Sequence, residues 1–187
     1  MNATRKHSTA LALALGLVLG AHSQAMGEET ASTADAKPTE PAESATAKLF
    51  GQELRNANGE KVAIEKLDGK LVGIYFSAHW CPPCRAFTPK LVEFHKAVTA
   101  VGKPFEIVFV SSDKDEASMT AYMKETAMPW LAVPFGDPKV KELKQQFKVS
   151  GIPTLVVVNA KGETVSAQAR GEVTSSGAAA FDEWEKK

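Results

Sequence analysis

The sequence has no excess of either charge: 22 Lys and Arg stand against 22 Asp and Glu, for a formal net charge of zero. Nucleic acid and anionic membrane surfaces are therefore not expected partners, since there is no basic surplus to neutralise phosphates. Cysteine is nearly absent, and two cysteines exclude a disulfide-scaffolded fold and allow one bridge at most. Thirteen glycines and ten prolines are too few for a fibrous or collagen-like chain. No apolar run reaches the roughly 20 residues of a membrane span. What remains, 44% apolar and 24% charged, is the composition of one ordinary globular domain.

The N-terminus is set apart by pattern. Arg5, Lys6 and His7 precede the uncharged apolar run from Thr9 to Gly20, and Ser23-Gln24-Ala25 supplies the small residues that a cut after Ala25 requires. Residues 1–25 read as a secretory signal peptide. An uncleaved anchor is the competing reading, and the short run argues against it. No cysteine follows the run, which excludes a lipoprotein anchor. The expectation is export to the periplasm or an equivalent oxidising compartment, with no membrane span after cleavage. Residues 26–48 are mostly Ala, Thr, Ser, Glu and Pro with no aromatic side chain, and they read as a disordered, mildly acidic linker. Residues 49–187 are left as the folded domain, long enough to bury a core without staples.

Within it, residues 49–54 read as a first short strand closed by Asn56-Ala57-Asn58-Gly59, and Val62 and Ile64 as a second extended piece. Residues 71–76 and 105–110 are short apolar runs bounded by turn residues, the look of strands buried on both faces. Leu91, Phe94, His95 and Val98 fall at helical spacing, so 83–101 is expected to be an amphipathic helix with a kink at Pro89. Ser112 or Asp113 is expected to cap a helix over 115–126, and a short helix over 138–147 follows a proline-punctuated stretch. Residues 154–159 and 164–169 read as a strand and its hairpin partner, and Thr174 or Ser175 as the cap of a last helix ending near Glu185. This order predicts an α/β sandwich in which helices flank a mixed sheet, parallel at its centre and closed by an antiparallel hairpin.

Both cysteines lie in Trp80-Cys81-Pro82-Pro83-Cys84, where a buried strand passes into a helix. A three-residue spacing on a helical turn lets the two sulfurs meet as a disulfide. Cys81 falls at the helix N-terminus, where free N–H groups and the dipole favour a thiolate, the nucleophilic form. Pro82 suits the first helical turn, since its missing N–H would have no partner there. By position, Cys81 is the attacking and more exposed thiol, and Cys84, one turn inside, resolves the mixed disulfide. Half of a zinc site is a poor alternative because no further ligand set is spaced to complete it. A structural staple is a second, opposed by the little chain entropy that so small a ring excludes. Gly151-Ile152-Pro153-Thr154 precedes a strand, the place where a cis proline would expose the Ile152 backbone to an extended substrate.

Residues 75–85 (Tyr75-Phe76-Ser77-Ala78-His79-Trp80-Cys81-Pro82-Pro83-Cys84-Arg85), followed by Phe87-Thr88-Pro89, resemble the tryparedoxin and nucleoredoxin branch of the thioredoxin superfamily. Residues 129–135 (PWLAVPF) resemble a second signature of that branch, and Ile152-Pro153-Thr154 a third shared with thioredoxins at large. The likeness spans about residues 49–170 in the family's order. It implies a thioredoxin-like three-layer sandwich, dithiol–disulfide exchange by Cys81 and Cys84 through a redox Cys81–Cys84 disulfide, and a cis Pro153 beside them. It also places Tyr75 where plain thioredoxins carry a buried carboxylate, so proton transfer at Cys84 needs another group or water.

The remaining expectations concern single residues and partners. Trp80, with Ile152 and Pro153, is expected to form substrate surface, and Trp130 to be packing. Tyr75, Pro82, Pro83 and Arg85 are candidate modulators of the dithiol, and His79 is expected to be a surface residue. With no phosphate-binding loop or dinucleotide fingerprint, no cofactor and no metal are expected, and electrons would come from another protein. The expected activity is reduction of protein disulfides by an exported monomer. The rivals are an oxidant or isomerase on the same fold and a non-enzymatic peptide-binding module.

Overall fold

A computed structural model of the protein describes residues 44–187, so the signal-peptide reading and most of the linker reading fall outside the described residues. In chain order the elements are α1 (Ala45–Phe50), β1 (Glu53–Arg55), β2 (Lys61–Ala63), a single 3-10 turn (Ile64–Leu67), β3 (Leu71–Ser77), α2 (Pro82–Ala100), β4 (Phe105–Ser111) and α3 (Glu116–Glu125). They continue with β5 (Leu131–Ala132), α4 (Pro138–Gln146), β6 (Thr154–Val158), β7 (Thr164–Ser166), α5 (Ala169–Ser176) and α6 (Ala179–Glu185).

The strands form one mixed sheet in the order β2-β1-β5-β4-β3-β6-β7. β3, β4 and β5 are mutually parallel, and β6 runs antiparallel to β3. Hairpins close both ends, β6–β7 as expected and β1–β2 in addition. Side chains alternate across the pleat. Tyr75 on β3 with Phe105, Ile107 and Phe109 on β4 meets α2, α3, α5 and α6 on one face. Val72, Ile74 and Phe76 with Val108 and Val110 meet α1, the 3-10 turn and α4 on the other. The result is the three-layer α/β sandwich that the sequence predicts.

Gly73 sits where the sheet is most tightly covered. A Cβ there would lie 3.1 Å from Phe105 Cζ and 3.3 Å from Leu155 Cδ1. Gly73→Val is therefore expected to destabilise the domain by about 1–3 kcal/mol through overpacking, read as a lowered urea midpoint with the slope unchanged.

Four local readings need correction. The strand expected over 49–54 is instead α1 followed by β1. The Ser44 side chain accepts the Ala47 N–H, Gly51 takes a φ of 85° that stops the helix, and Leu49 and Phe50 are buried in its short apolar face. α1 thereby takes in residues 45–48, which were assigned to the linker. The cap of α3 is Asp115, which accepts the Ser118 N–H. Asp113 is already committed, accepting the His79 N–H at 2.8 Å and the Ser111 hydroxyl at 2.8 Å. The second hairpin strand ends at Ser166 because the Ser166 hydroxyl accepts the Gln168 N–H and turns the chain. The last helix is two helices separated at Gly177, where φ is 52°. Thr174 and Ser175 lie inside the first of them, donating to the carbonyls of Arg170 and Glu172. α2 itself matches its expected span and is continuous through Pro89.

Candidate active site

β3 delivers the chain to the site. After Ser77 a short turn closes with the Cys81 N–H donating to the Ala78 carbonyl, and Cys81 becomes the N-cap of α2 with φ −93° and ψ 108°. Pro82 and Pro83 occupy the first two helical positions and are exposed. Neither has an N–H, so two of the donors that a helix start normally leaves free are absent, and the Arg85 N–H is taken by the Cys81 carbonyl at 3.1 Å. Among first-turn amides, only that of Cys84 is left to face an anion at the N-cap.

Cys81 and Cys84 are joined as a disulfide with Cα atoms 5.2 Å apart. Cys81 is 3% exposed and Cys84 is fully covered. The expected order of exposure holds, but by a margin so small that position on the helix, and not accessibility, separates the two sulfurs. The Ile152–Pro153 bond is cis, as the resemblance implied. It brings the Ile152 carbonyl oxygen to 3.9 Å from Cys81 Sγ, and the Ile152 side chain packs on Ala78, Cys81 and Cys84. Trp80 forms the other wall. It is 59% exposed, and its indole N–H donates to the Ser112 carbonyl at 3.1 Å. Arg85 is exposed and shares a recess of about 290 Å³ with Trp80, His79 and Lys114.

Behind Cys84 lies a buried cluster of four hydroxyls that the sequence reading found only in part. Tyr75 was singled out; Ser77, Thr88 and Tyr122 were not. The Thr88 hydroxyl donates to the Cys84 carbonyl at 3.0 Å, and Tyr75 reaches the same oxygen at 3.5 Å. Thr88 lies 2.8 Å from the Tyr75 hydroxyl and 2.5 Å from that of Tyr122. The Ser77 hydroxyl donates to Tyr75 at 3.0 Å and lies 3.1 Å from Tyr122. Two members were legible by spacing: Thr88 is one helical turn after Cys84, and Ser77 shares the strand face of Tyr75. Tyr122 comes from α3, and no local pattern announces it.

Burial pushes the Tyr75 phenol far above its ordinary value, the charge of Tyr122 adds to this, and hydrogen bonds from Ser77 and Thr88 only partly offset it. Tyr75 is therefore a neutral donor and acceptor at physiological pH, not a base in the carboxylate's place. Because the folded-state value is raised, its contribution to stability is intact below pH 10 and is lost as pH rises beyond that. Tyrosinate absorbance is expected to show Tyr75 titrating only with alkaline unfolding, and Tyr75→Phe should remove that step.

His79, expected at the surface, is half-buried there and paired on both sides. Its ring stacks on Tyr122 with centroids 5.4 Å apart, and Nε2 lies 2.9 Å from Glu125 Oε2. It ties the active-site turn to α3. Trp130 is packing, as expected: 1% exposed, and edge-on to Tyr75 at 6.4 Å. Among the described residues no group of three or more His, Cys, Asp or Glu is placed to hold a metal ion.

A thioredoxin-like family profile matches residues 69–164, which take in the dithiol, the hydroxyl cluster and the cis proline. The chain belongs to the thioredoxin-like family, in its tryparedoxin and nucleoredoxin branch. It is 50% identical over 124 residues to probable nucleoredoxin 1 of Arabidopsis thaliana, a stretch covering 66% of this chain and 21% of that protein. It is 46% identical over 126 residues to mouse nucleoredoxin, covering 67% of this chain and 28% of the relative. The chain thus corresponds to under a third of the length of these curated relatives. Among solved structures, native tryparedoxin I from Crithidia fasciculata superposes with a TM-score of 0.65 at 40% identity, covering 72% of this chain and 93% of that one. The thioredoxin-like fold of the sequence reading is thereby shown as the fold of the chain.

Proposed function

We propose that the protein is an exported thiol–disulfide oxidoreductase that reduces protein disulfides. The observation that carries this reading is the Cys81–Cys84 disulfide at the start of α2 with the Ile152 carbonyl beside Cys81 Sγ. In the reduced protein the Cys81 thiolate attacks one sulfur of the substrate disulfide. A mixed disulfide forms and the substrate's other sulfur leaves as a thiolate, which takes up a proton. The Cys84 thiol, giving up its proton to water, attacks Cys81 Sγ, closes the disulfide and releases the second substrate sulfur as a thiolate, which takes up a proton. Two electrons pass to the substrate, and a dithiol donor protein restores the reduced state. Trp80, Ile152 and Pro153 supply the docking edge. In the export reading the mature chain begins at Met26, and N-terminal sequencing of the native protein that found Met1 would refute it.

Insulin reduction in the presence of dithiothreitol tests the activity: turnover is expected, and its absence would leave a binding module. Equilibration against glutathione tests direction. The expected potential lies nearer the thioredoxin value of about −270 mV than the strong oxidant's about −120 mV. The paired prolines favour the reducing side, because they remove N–H donors that would hold a Cys81 thiolate. Pro83→Ala restores one donor and is expected to lower the Cys81 thiol pKa and raise the potential by about 20 mV for about 1 kcal/mol of thiolate stabilisation. A lower potential in that variant would contradict the assignment.

A further inference from the structure

We propose that a second site, separate from the dithiol, lies in the crevice where β4 and β5 end against α4, and that it binds a small molecule with an apolar body and one carboxylate. This goes beyond the reductase reading and does not rest on it.

The crevice comes from the topology. β4 and β5 are parallel neighbours. α3, which follows β4, packs Met119 and Tyr122 on one face of the sheet, and α4, which follows β5, packs Leu143 on the other. Neighbouring parallel strands whose helices part in this way leave a gap at their carboxyl ends, where open α/β sheets take ligands. A cavity of about 540 Å³ lies there, lined by Ser112 and Asp113 after β4, Val133 and Phe135 after β5, and Val140 and Lys144 on α4. That volume suits a small molecule. The Ser112 carbonyl accepts the Trp80 indole N–H, so the cavity abuts the wall of the dithiol site without including either sulfur.

The lining says what fits. Val133 and Val140 are apolar, and Phe135 is one of three large apolar side chains left exposed among the described residues, at 38%. It is the one that borders this cavity, and it offers a ring face to an apolar ligand. Both carboxylates of the cavity are engaged: Asp113 accepts from the His79 N–H and the Ser111 hydroxyl, and Asp137 accepts the Lys139 N–H. The Ser112 hydroxyl and the Lys144 ammonium have no partner among the described residues. Lys144 also differs from the solvated lysines of the surface, since it is half-buried. Burial pulls its ammonium below the ordinary lysine value with no carboxylate opposing it, whereas Lys103 and Lys186 are held up by carboxylates. A cation that has lost water without gaining a counter-charge, inside an apolar cavity, is satisfied by a bound carboxylate.

The test titrates the full chain with three probes that share one ring system: naphthylacetate, its neutral amide naphthylacetamide and the cation naphthylethylamine, each followed by amide chemical shifts. Naphthylacetate is expected to bind with a Kd on the order of 1 mM or tighter, about tenfold below that of the amide, and the amine not to saturate. The shifted amides should gather at Ser112 and Asp113, at Val133 and Phe135, and along α4. Lys144→Met should weaken naphthylacetate to the affinity of the amide. Lys141→Met, which changes an exposed lysine of the same helix, should alter it by about twofold or less. Insulin reduction by Lys144→Met should equal that of the parent, so the reductase reading stands or falls separately. Equal binding of acid and amide, a preference for the amine, an unchanged ratio in Lys144→Met, or shifts centred elsewhere would each overturn the inference. Shifts of the same amides on concentrating the protein without a probe would make a second copy the occupant and overturn it too. Should Lys144→Met not fold, the acid-to-amide ratio and the place of the shifts in the parent protein decide the matter.

Discussion

Cys81→Ser is expected to abolish disulfide reduction, lowering turnover by at least about a thousandfold, because a serine hydroxyl is not a nucleophile toward a disulfide under these conditions. Cys84→Ser is expected to be equally dead in turnover yet different in kind. Its Cys81 can still attack, and with no resolving thiol the mixed disulfide persists. Non-reducing electrophoresis of Cys84→Ser with an oxidised substrate should show a covalent adduct that dithiothreitol dissolves, and Cys81→Ser should show little. The difference follows from placement. Cys81 is the N-cap, beside the Ile152 carbonyl and the Trp80 wall, whereas Cys84 is inside the helix, with its carbonyl held by Thr88 and Tyr75. Equal adduct yields from the two variants would reverse or dissolve the assigned roles. Alkylation of the reduced protein gives a second reading, with Cys81 expected to react first.

Trp130→Ala is expected to cost about 3–5 kcal/mol, a large part of the roughly 5–15 kcal/mol that holds a domain of this kind together. The indole is 1% exposed and meets Tyr75 edge-on at 6.4 Å and His95 at 5.7 Å. Its loss would open a cavity against the face of the sheet that carries the hydroxyl cluster. Trp130→Phe separates packing from polarity. Trp130 Nε1 is buried with no hydrogen-bond partner, so phenylalanine loses ring volume but also removes an unsatisfied donor, and the cost should be about 1–2 kcal/mol. Trp184 is the contrast, since its indole N–H donates to Glu172 Oε2 at 2.5 Å, and Trp184→Phe leaves that oxygen with the Ser166 hydroxyl alone. Urea unfolding of the three variants would rank them. A Trp130→Ala protein as stable as the parent would refute the packing role.

The three tryptophans show what sequence pattern can and cannot carry. Trp80 was expected at the surface because it adjoins the cysteines, and it is exposed; Trp130 was legible as packing because apolar residues surround it. That Trp184 finds Glu172 across the α5–α6 break was not legible, since the break at Gly177 was missed. The same division runs through the site. The cysteine spacing, the helix start marked by two prolines and the buried strand before it are local, and each is dictated by residues within a few positions of one another.

The sequence by itself thus determined the chemistry of the dithiol and the helix that presents it, and family likeness added the cis proline. The short first helix was lost because six residues hold too few turns for helical periodicity to stand out from strand alternation. Only the tertiary structure decided what lies behind and beside the sulfurs. The ring of hydroxyls needs Tyr122 from α3 to meet Thr88 from α2 and two residues of β3, and the Ile152 carbonyl reaches Cys81 Sγ from 71 positions along the chain. Such features depend on contacts between residues tens of positions apart, which no window of sequence contains.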